Sequence, residues 1–295
     1  MRKLTHVIEA RDDGRRLDRV IFSRLDVSTH LLRTLKVKNG IFLDGENAHT
    51  DRIVRMGQVI MLIIEADKTE KIRDESALHV VYMDDDLLLV NKEAPLPTLP
   101  SRHQNGETLR ERVMRYLGET EPYTFRPVNR LDKGTSGLMA VARNAHAQQR
   151  LSATLHSDEF VREYLAVTQG IPQQCEGVID APIARVPGET VKRCVAPDGL
   201  AARTHYRVLQ AQNGRALLRL RLESGRTHQI RVHLAHIGCP IVGDYLYGTE
   251  EESLRGRFAL HSTYISLLHP VTGERIEAQS ELPDALAALL EKESE

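Results

Sequence analysis

Apolar residues recur along the chain first at helical spacing and then at strand spacing. Leu17, Val20, Ile21 and Leu25 stand three and four apart with Arg and Asp between them, which predicts a helix. Ser28 reads as the N-cap of a second helix carrying Leu31, Leu32 and Leu35, with Asn39-Gly40 to end it. Ile41–Leu43 reads as a short strand, Asp44-Gly45 as its turn, and Val59–Ile63 as a further strand. Residues 66–77 are rich in charge and poor in apolar side chains, the composition of a solvated linker. The pattern therefore divides the chain into a small module at 1–65, a linker at 66–77 and a larger domain at 78–295.

Within the larger domain, His79–Tyr82 and Leu87–Val90 flank Asp84-Asp85-Asp86. Three acids beside a strand invite a cation, but Asp also suits a turn between paired strands, and a hairpin is the expectation. Asn91–Pro97 leaves as a proline-stiffened loop, and Glu107–Leu117 is amphipathic, with Leu109, Val113, Tyr116 and Leu117 on one side. Asn144 is placed to cap a helix through Leu155. In Val161–Thr168 the residues Arg162, Tyr164 and Ala166 share one face of a strand. Asn213-Gly214 predicts a tight hairpin between Arg203–Leu209 and Arg215–Leu222. There Leu218, Leu220 and Leu222 alternate with Arg219 and Arg221, so one face is expected buried and the other positive. A helix near His228 turns Ile230, Leu234 and Ile237 inward and stops at Gly238; Pro283–Leu290 adds a capping helix. Many strands with interspersed helices, in no regular βαβ order, indicate an α+β fold with a mixed sheet.

Composition narrows the class. Of 295 residues, 41% are hydrophobic and 27% charged, which fits a globular protein. No apolar run approaches the roughly 20 residues a membrane-spanning helix needs. Met1–His6 lacks the apolar core of a signal peptide. Cys175, Cys194 and Cys239 are odd in number and far apart, offering neither a disulfide framework nor metal spacing, so a cytoplasmic setting is expected. A net charge of −1 argues against a nucleic-acid partner, yet it averages over uneven stretches. Arg203–His236 holds seven Arg against one acid, and Gly14–Ile60 nine Lys or Arg against five acids. Glu274–Glu295 reverses the balance with seven acids against two bases. A phosphate backbone responds to such local positive charge.

The stretch Arg126–Met139 carries one carboxylate, Asp132, between Arg130 and Lys133, and then a Gly-Thr-Ser-Gly turn into apolar Leu138–Ala142. An acid on a tight loop at a strand's mouth is either a surface ion pair or a group presented for chemistry, and the residues alone leave both open. Arg130-Leu131-Asp132-Lys133-Gly134-Thr135-Ser136-Gly137-Leu138 resembles the catalytic motif of the RluA-type RNA pseudouridine synthases. Arg162–Ala166 resembles that family's second motif; Gly225–His233 with Gly243–Gly248 resembles its third. The similarity spans roughly residues 78–280, in the family's order. The two helices and strands of 1–65, with Arg33, Lys36 and Lys38 along the second helix, resemble the S-four-type RNA-binding domain that often precedes it.

The resemblance implies the pseudouridine synthase fold and the isomerisation of uridine to pseudouridine in structured RNA, ribosomal RNA first and transfer RNA second. It implies Asp132 as catalytic carboxylate, Tyr164 stacked against the target base with a phenol that helps move a proton off carbon five, and Arg226 as the cation paired with Asp132. An ionised acid in a pocket that excludes water calls for such a neighbour. Arg130 is similar to the arginine that fills the space of a flipped-out base. The reaction breaks the ribose–nitrogen bond, turns the base and rejoins it through carbon five, so no cofactor or metal is expected, and nothing demands more than a monomer. The spacing of His228, His233 and His236 does not suit zinc. Two departures stand out: Asn129 occupies the place of the family's usual His, and Lys92-Glu93-Ala94 and Leu99-Pro100 replace its lysine-proline-glycine and histidine-proline elements. The alternatives are a catalytically weak ribosome-assembly factor of the same fold and a carboxylate-dependent nucleoside glycosidase.

Overall fold

The computed structural model describes residues 2–25, 27–64, 78–100, 106–120 and 122–291. The expected linker, 66–77, lies outside the described residues.

The first element is a strand that periodicity does not announce, β1 (Arg2–Val7), followed by α1 (Leu17–Arg24) and α2 (Thr29–Val37). Ser28 Oγ accepts from Leu31 N at 3.0 Å and caps α2, and Asn39, at φ +52°, ends it. β2 (Ile41–Leu43), β3 (Glu46–Asn47) and β4 (Val59–Ile64) complete an antiparallel sheet in the order β1-β4-β2-β3. Leu17, Val20, Ile21, Leu31, Leu32, Leu35, Ile60 and Leu62 are buried together in a core of these elements' own. The apolar side of α2 is thereby committed inward, leaving Arg33, Lys36 and Lys38 exposed.

The second sheet, nine-stranded among the described residues, is built from β5 (Val80–Met83), β6 (Leu87–Lys92), β7 (Ser136–Ala142), β8 (Phe160–Gln169) and β9 (Glu176–Asp180). A separate small hairpin, β10 (Ile183–Arg185) with β11 (Arg193–Val195), stands off it. β12 (Arg203–Gln212), β13 (Arg215–Leu222), β14 (Leu260–Leu268) and β15 (Arg275–Gln279) finish the sheet. Its order is β5-β6-β7-β14-β8-β13-β12-β9, with β15 against β14. β7 and β14 run parallel, His261 beside Ser136, and the other ladders are antiparallel.

The sheet is covered on both sides, so its inner strands read as continuous apolar runs. Leu88, Val90, Met139, Val141, Tyr164, Leu218 and Leu220 share one core with α3 (Leu109–Tyr116), the buried α5 (Gln229–His236) and α6 (Asp284–Ala287). Leu87, Leu89, Leu138, Ala140, Phe160 and Ile265 share the other with Ala147 and Leu151 of α4 (Ala145–Thr154). Gly137 is required where β7 meets β14: its φ is +109°, and a Cβ there would stand 2.2 Å from Ser262 O.

The β12–β13 hairpin turns at Asn213 (φ +52°) and Gly214 (φ +71°), as their dipeptide predicts. Its expected positive face is a correction. Arg203 pairs with Asp180 (2.6 Å), Arg207 with Glu176 (2.8 Å), Arg219 with Glu163 (3.8 Å) and Arg221 with Asp158 (2.6 Å). These acids come from β8, β9 and adjoining turns, so the sheet assembles a mixed-charge face from segments far apart in sequence.

Candidate active site

The Asp132 loop is held from several sides. Val128 N donates to Ala140 O (2.9 Å), and Ala140 N donates to the buried Asn129 Oδ1 (2.9 Å). Asn129 therefore secures the loop to β7 from the position where the related motif usually has His. Thr98 Oγ1 donates to Leu131 O (2.7 Å), Leu96 N to Lys133 O (2.9 Å) and Thr135 N to Asp132 O (3.1 Å). Gly134 is needed for space: a Cβ would come within 2.9 Å of the Phe258 ring. The loop thus presents Asp132 with its side chain 31% exposed.

The cation in contact with Asp132 is Arg231, not Arg226. Arg231 Nη1 donates to Asp132 Oδ2 at 3.0 Å, while Nε and Nη2 make a fork onto Asp244, at 2.6 and 2.7 Å. The guanidinium lies 4.0 Å from the centroid of the Phe258 ring and 5.0 Å from that of Tyr247. Burial works against its charge, but the Asp244 hydrogen bonds and the two carboxylates outweigh it and hold the guanidinium above its ordinary value. Asp244 is fully buried and also accepts from Leu246 N and Tyr247 N. An Asp244–Arg231–Asp132 chain therefore fixes the orientation of the Asp132 carboxylate from behind.

Arg226 is exposed at the mouth of the same pocket, its Nε donating to Ala201 O at 3.1 Å. The physical reason for the difference is the helix start. Gln229 Oε1 accepts from Arg226 N (3.0 Å) and Ser224 Oγ (2.9 Å), holding Arg226 in the turn before α5, while Arg231 projects from the helix itself. A signal for Arg231 existed in the sequence: it stands between Ile230 and Val232 in a helix buried on all sides, where a cation needs carboxylates.

Asp132, Tyr164, Arg226, Arg130, His228 and Leu260 line one pocket with Arg231. Tyr164 is 4% exposed, and burial pushes its phenol above the ordinary value, so it stays protonated at neutral pH. Arg130 is exposed at the pocket's edge. His228, which the motif reading gave no role, adopts φ +60° and brings Nε2 to 3.9 Å from Asp132 Oδ2. Its Nδ1 meets Tyr247 Oη at 2.8 Å, and burial pushes the imidazole down against the pull of Asp132.

Other histidines are engaged elsewhere. His233 is buried between Thr204 Oγ1 and Ala181 O, each at 2.9 Å, and His236 is exposed. Asp84, Asp86 and His269 bring potential ligand atoms within 4.8 Å of one another. Yet Asp84 Oδ1 caps the hairpin by accepting from Asp86 N and Leu87 N, both at 2.8 Å, while Oδ2 meets Tyr82 Oη (2.6 Å) and His269 (2.8 Å). The turn role accounts for these contacts.

Residues 86–236 match the family model described as RNA pseudouridylate synthase. A Bacillus subtilis (strain 168) protein named Uncharacterized RNA pseudouridine synthase YjbO is 34% identical over 274 residues, covering 92% of this chain and 96% of its own length. The Ribosomal large subunit pseudouridine synthase D of Pasteurella multocida (strain Pm70) is 36% identical over 295 residues, covering 94% and 91%. Among solved structures, Human RNA Pseudouridylate Synthase Domain Containing 1 aligns with a TM-score of 0.55 at 28% identity, over 72% of this chain and 90% of that one.

Proposed function

Because the chain belongs to the RNA pseudouridylate synthase family, as an isomerase that converts uridine to pseudouridine in RNA, we propose that Asp132 is its catalytic carboxylate and ribosomal large-subunit RNA its substrate. The observation that carries the catalytic assignment is the Arg231 contact. One partly exposed carboxylate is held by a buried, doubly compensated guanidinium in a pocket that also contains a tyrosine ring. A carboxylate so oriented can attack, or stabilise positive charge at, the anomeric carbon as the ribose–nitrogen bond breaks. The freed base turns and rejoins the anomeric carbon through carbon five, which gives up its hydrogen as a proton, while nitrogen one, released from the ribose, takes a proton up.

Tyr164 supplies the surface against which the base packs, and its phenol, which burial keeps in the neutral form at rest, is given the proton-handling role at carbon five. A uridine inside folded RNA must leave its stack to reach Asp132, and Arg130 at the pocket edge is suited to the vacated space. Arg33, Lys36 and Lys38, exposed along α2, are suited to phosphate contacts, with residues 1–65 acting as an RNA-binding domain joined by the linker at 66–77. Arg226 serves substrate entry at the mouth. The protein acts in the cytoplasm, a setting that suits its three free cysteines, and its proposed state is a monomer.

The test uses RNA carrying tritium at carbon five of its uridines. Asp132→Asn is expected to lower tritium release by roughly 10⁴-fold or more while leaving RNA affinity within a few-fold. Near-normal release by this variant would remove the catalytic assignment. Free uracil among the wild-type products would favour the glycosidase.

A further inference from the structure

A second cleft, of about 490 Å³, lies behind the Asp132 loop. Thr135 lines the Asp132 pocket and the next residue, Ser136, lines this cleft, so the two open on opposite sides of one strand entrance. Lys92, Arg112, Arg257, His261 and Ser280 share the lining.

Its basic groups are unevenly matched. Arg112 is engaged by Glu107 and Glu93. Arg257 has no carboxylate within ion-pair distance among the described residues: Nη2 reaches Ser136 Oγ at 3.3 Å, and its buried Nε has no partner. The Lys92 ammonium, 1% exposed, is met by main-chain carbonyls, Leu96 O at 2.7 Å, Glu93 O at 2.9 Å and Lys133 O at 3.5 Å. Burial pulls Lys92 down to about 7; Asp132 and Glu93 oppose this, while Arg257 and Arg112 add to the fall. Burial first and Arg257 second bring His261 down to about 4. Arg257 therefore disfavours charge on two neighbouring bases, with the exposed Glu281 as the remaining acid of the lining.

The hydroxyl network leaves a donor free. Asn91 Nδ2 donates to Ser280 Oγ (2.9 Å), and Ser280 Oγ shares a further hydrogen bond with His261 Nε2 (3.0 Å) whose direction follows the imidazole tautomer. In the tautomer with the proton on Nδ1, neutral His261 donates to Ser136 Oγ at 2.9 Å. In that tautomer Ser136 Oγ accepts from both His261 and Arg257, and its own hydrogen is available to a ligand in the cleft. A guanidinium edge and an oriented hydroxyl thus converge on one cleft.

We propose that this cleft binds a phosphoryl group, as free phosphate or the phosphate of a nucleotide-sized ligand, through Arg257 and Ser136. A tetrahedral oxyanion offers acceptors to both donors, and arginine's planar fork matches it. The volume also accommodates a nucleoside attached to the phosphate. A bound anion next to Arg257 favours the charged form of Lys92, whose hydrogen bonds tie Leu96 and the Asp132 loop, at Lys133, to β6. Binding is independent of the catalytic role given to Asp132; any effect on turnover rests on it.

The experiment titrates the full-length protein with inorganic phosphate and with uridine 5′-monophosphate at constant ionic strength, reading thermal midpoint and calorimetric affinity. Saturable binding is expected, weakened roughly 10- to 100-fold in Arg257→Gln, less in Arg257→Lys, and kept in Arg226→Ala and Asp132→Asn. If Arg257→Gln does not fold, Ser136→Ala carries the same expectation at smaller size. No saturable binding of either probe, or binding lost in Asp132→Asn but kept in the Arg257 variants, would overturn the site. A repeat with RNA bound identifies the source. Exclusion of phosphate by RNA, with weaker RNA binding by Arg257→Gln, assigns the cleft to an RNA phosphate; persistence assigns it to a free ligand.

Discussion

Two arginines, one stacked on Phe258 and the other its neighbour in the chain, teach opposite lessons. Arg231 lies on the Phe258 ring with a carboxylate at each end of its fork, so its surroundings hold its charge up. Arg257, the residue before Phe258, is half-buried with a serine hydroxyl and no carboxylate, and burial pulls its charge down. The first is complete within the protein, which suits a carboxylate that must be oriented before substrate arrives. The second is suited to a negative charge brought from outside.

The largest expected effect comes from breaking the compensated side. Asp244→Ala leaves Arg231 buried with one partner, and a loss of about 3–5 kcal/mol is expected by chemical denaturation, with a fall in turnover. A loss below 1 kcal/mol would show that Asp132 and the rings suffice to hold Arg231.

Next comes the pH response of Lys92. Its folded value of about 7 lies below the ordinary 10.5, so between these values the unfolded chain binds more protons and stability rises with pH. Wild type should therefore gain a few kcal/mol over Lys92→Met between pH 7 and pH 10. The groups that set this window are Asp132, Glu93, Arg257 and Arg112, and saturating phosphate should flatten it. Parallel stability curves for the two proteins would show that Lys92 keeps its proton throughout.

Arg257→Gln, measured without phosphate, should alter stability by no more than about 1 kcal/mol in either direction, because an uncompensated charge leaves together with its single hydroxyl contact. A loss as large as that of Asp244→Ala would erase the contrast between the two arginines. The smallest effect belongs to the neutralised face. Replacing Arg219 and Arg221 by Ala should leave RNA affinity within about twofold and the salt dependence unchanged, whereas removing Arg33 and Lys36 should lower both. Equal losses from the two pairs would return the β13 face to the RNA surface.

Legibility in the sequence followed the reach of each interaction. The α2 cap at Ser28, the Asp84 hairpin, the Asn144 cap and the Asn213-Gly214 turn are settled within a few residues, and their side chains announce them. β14 gave no such signal although it lies centrally in the sheet. Its His261, Ser262, Thr263 and Ser266 are polar but buried, and partners distant in sequence make that tolerable for His261 and Thr263. β1 was equally silent, since its pairing with β4 joins the two ends of the N-terminal unit.

The sequence by itself determined the local elements, the α+β class, the motif loop bearing Asp132 and the family. Only the tertiary structure decided which arginine meets that acid, which arginines are neutralised and which one, among the described residues, is left without a carboxylate in ion-pair reach. Local rules act over a turn of helix or a hairpin, whereas charge compensation depends on atoms brought within about 4 Å from anywhere along the chain.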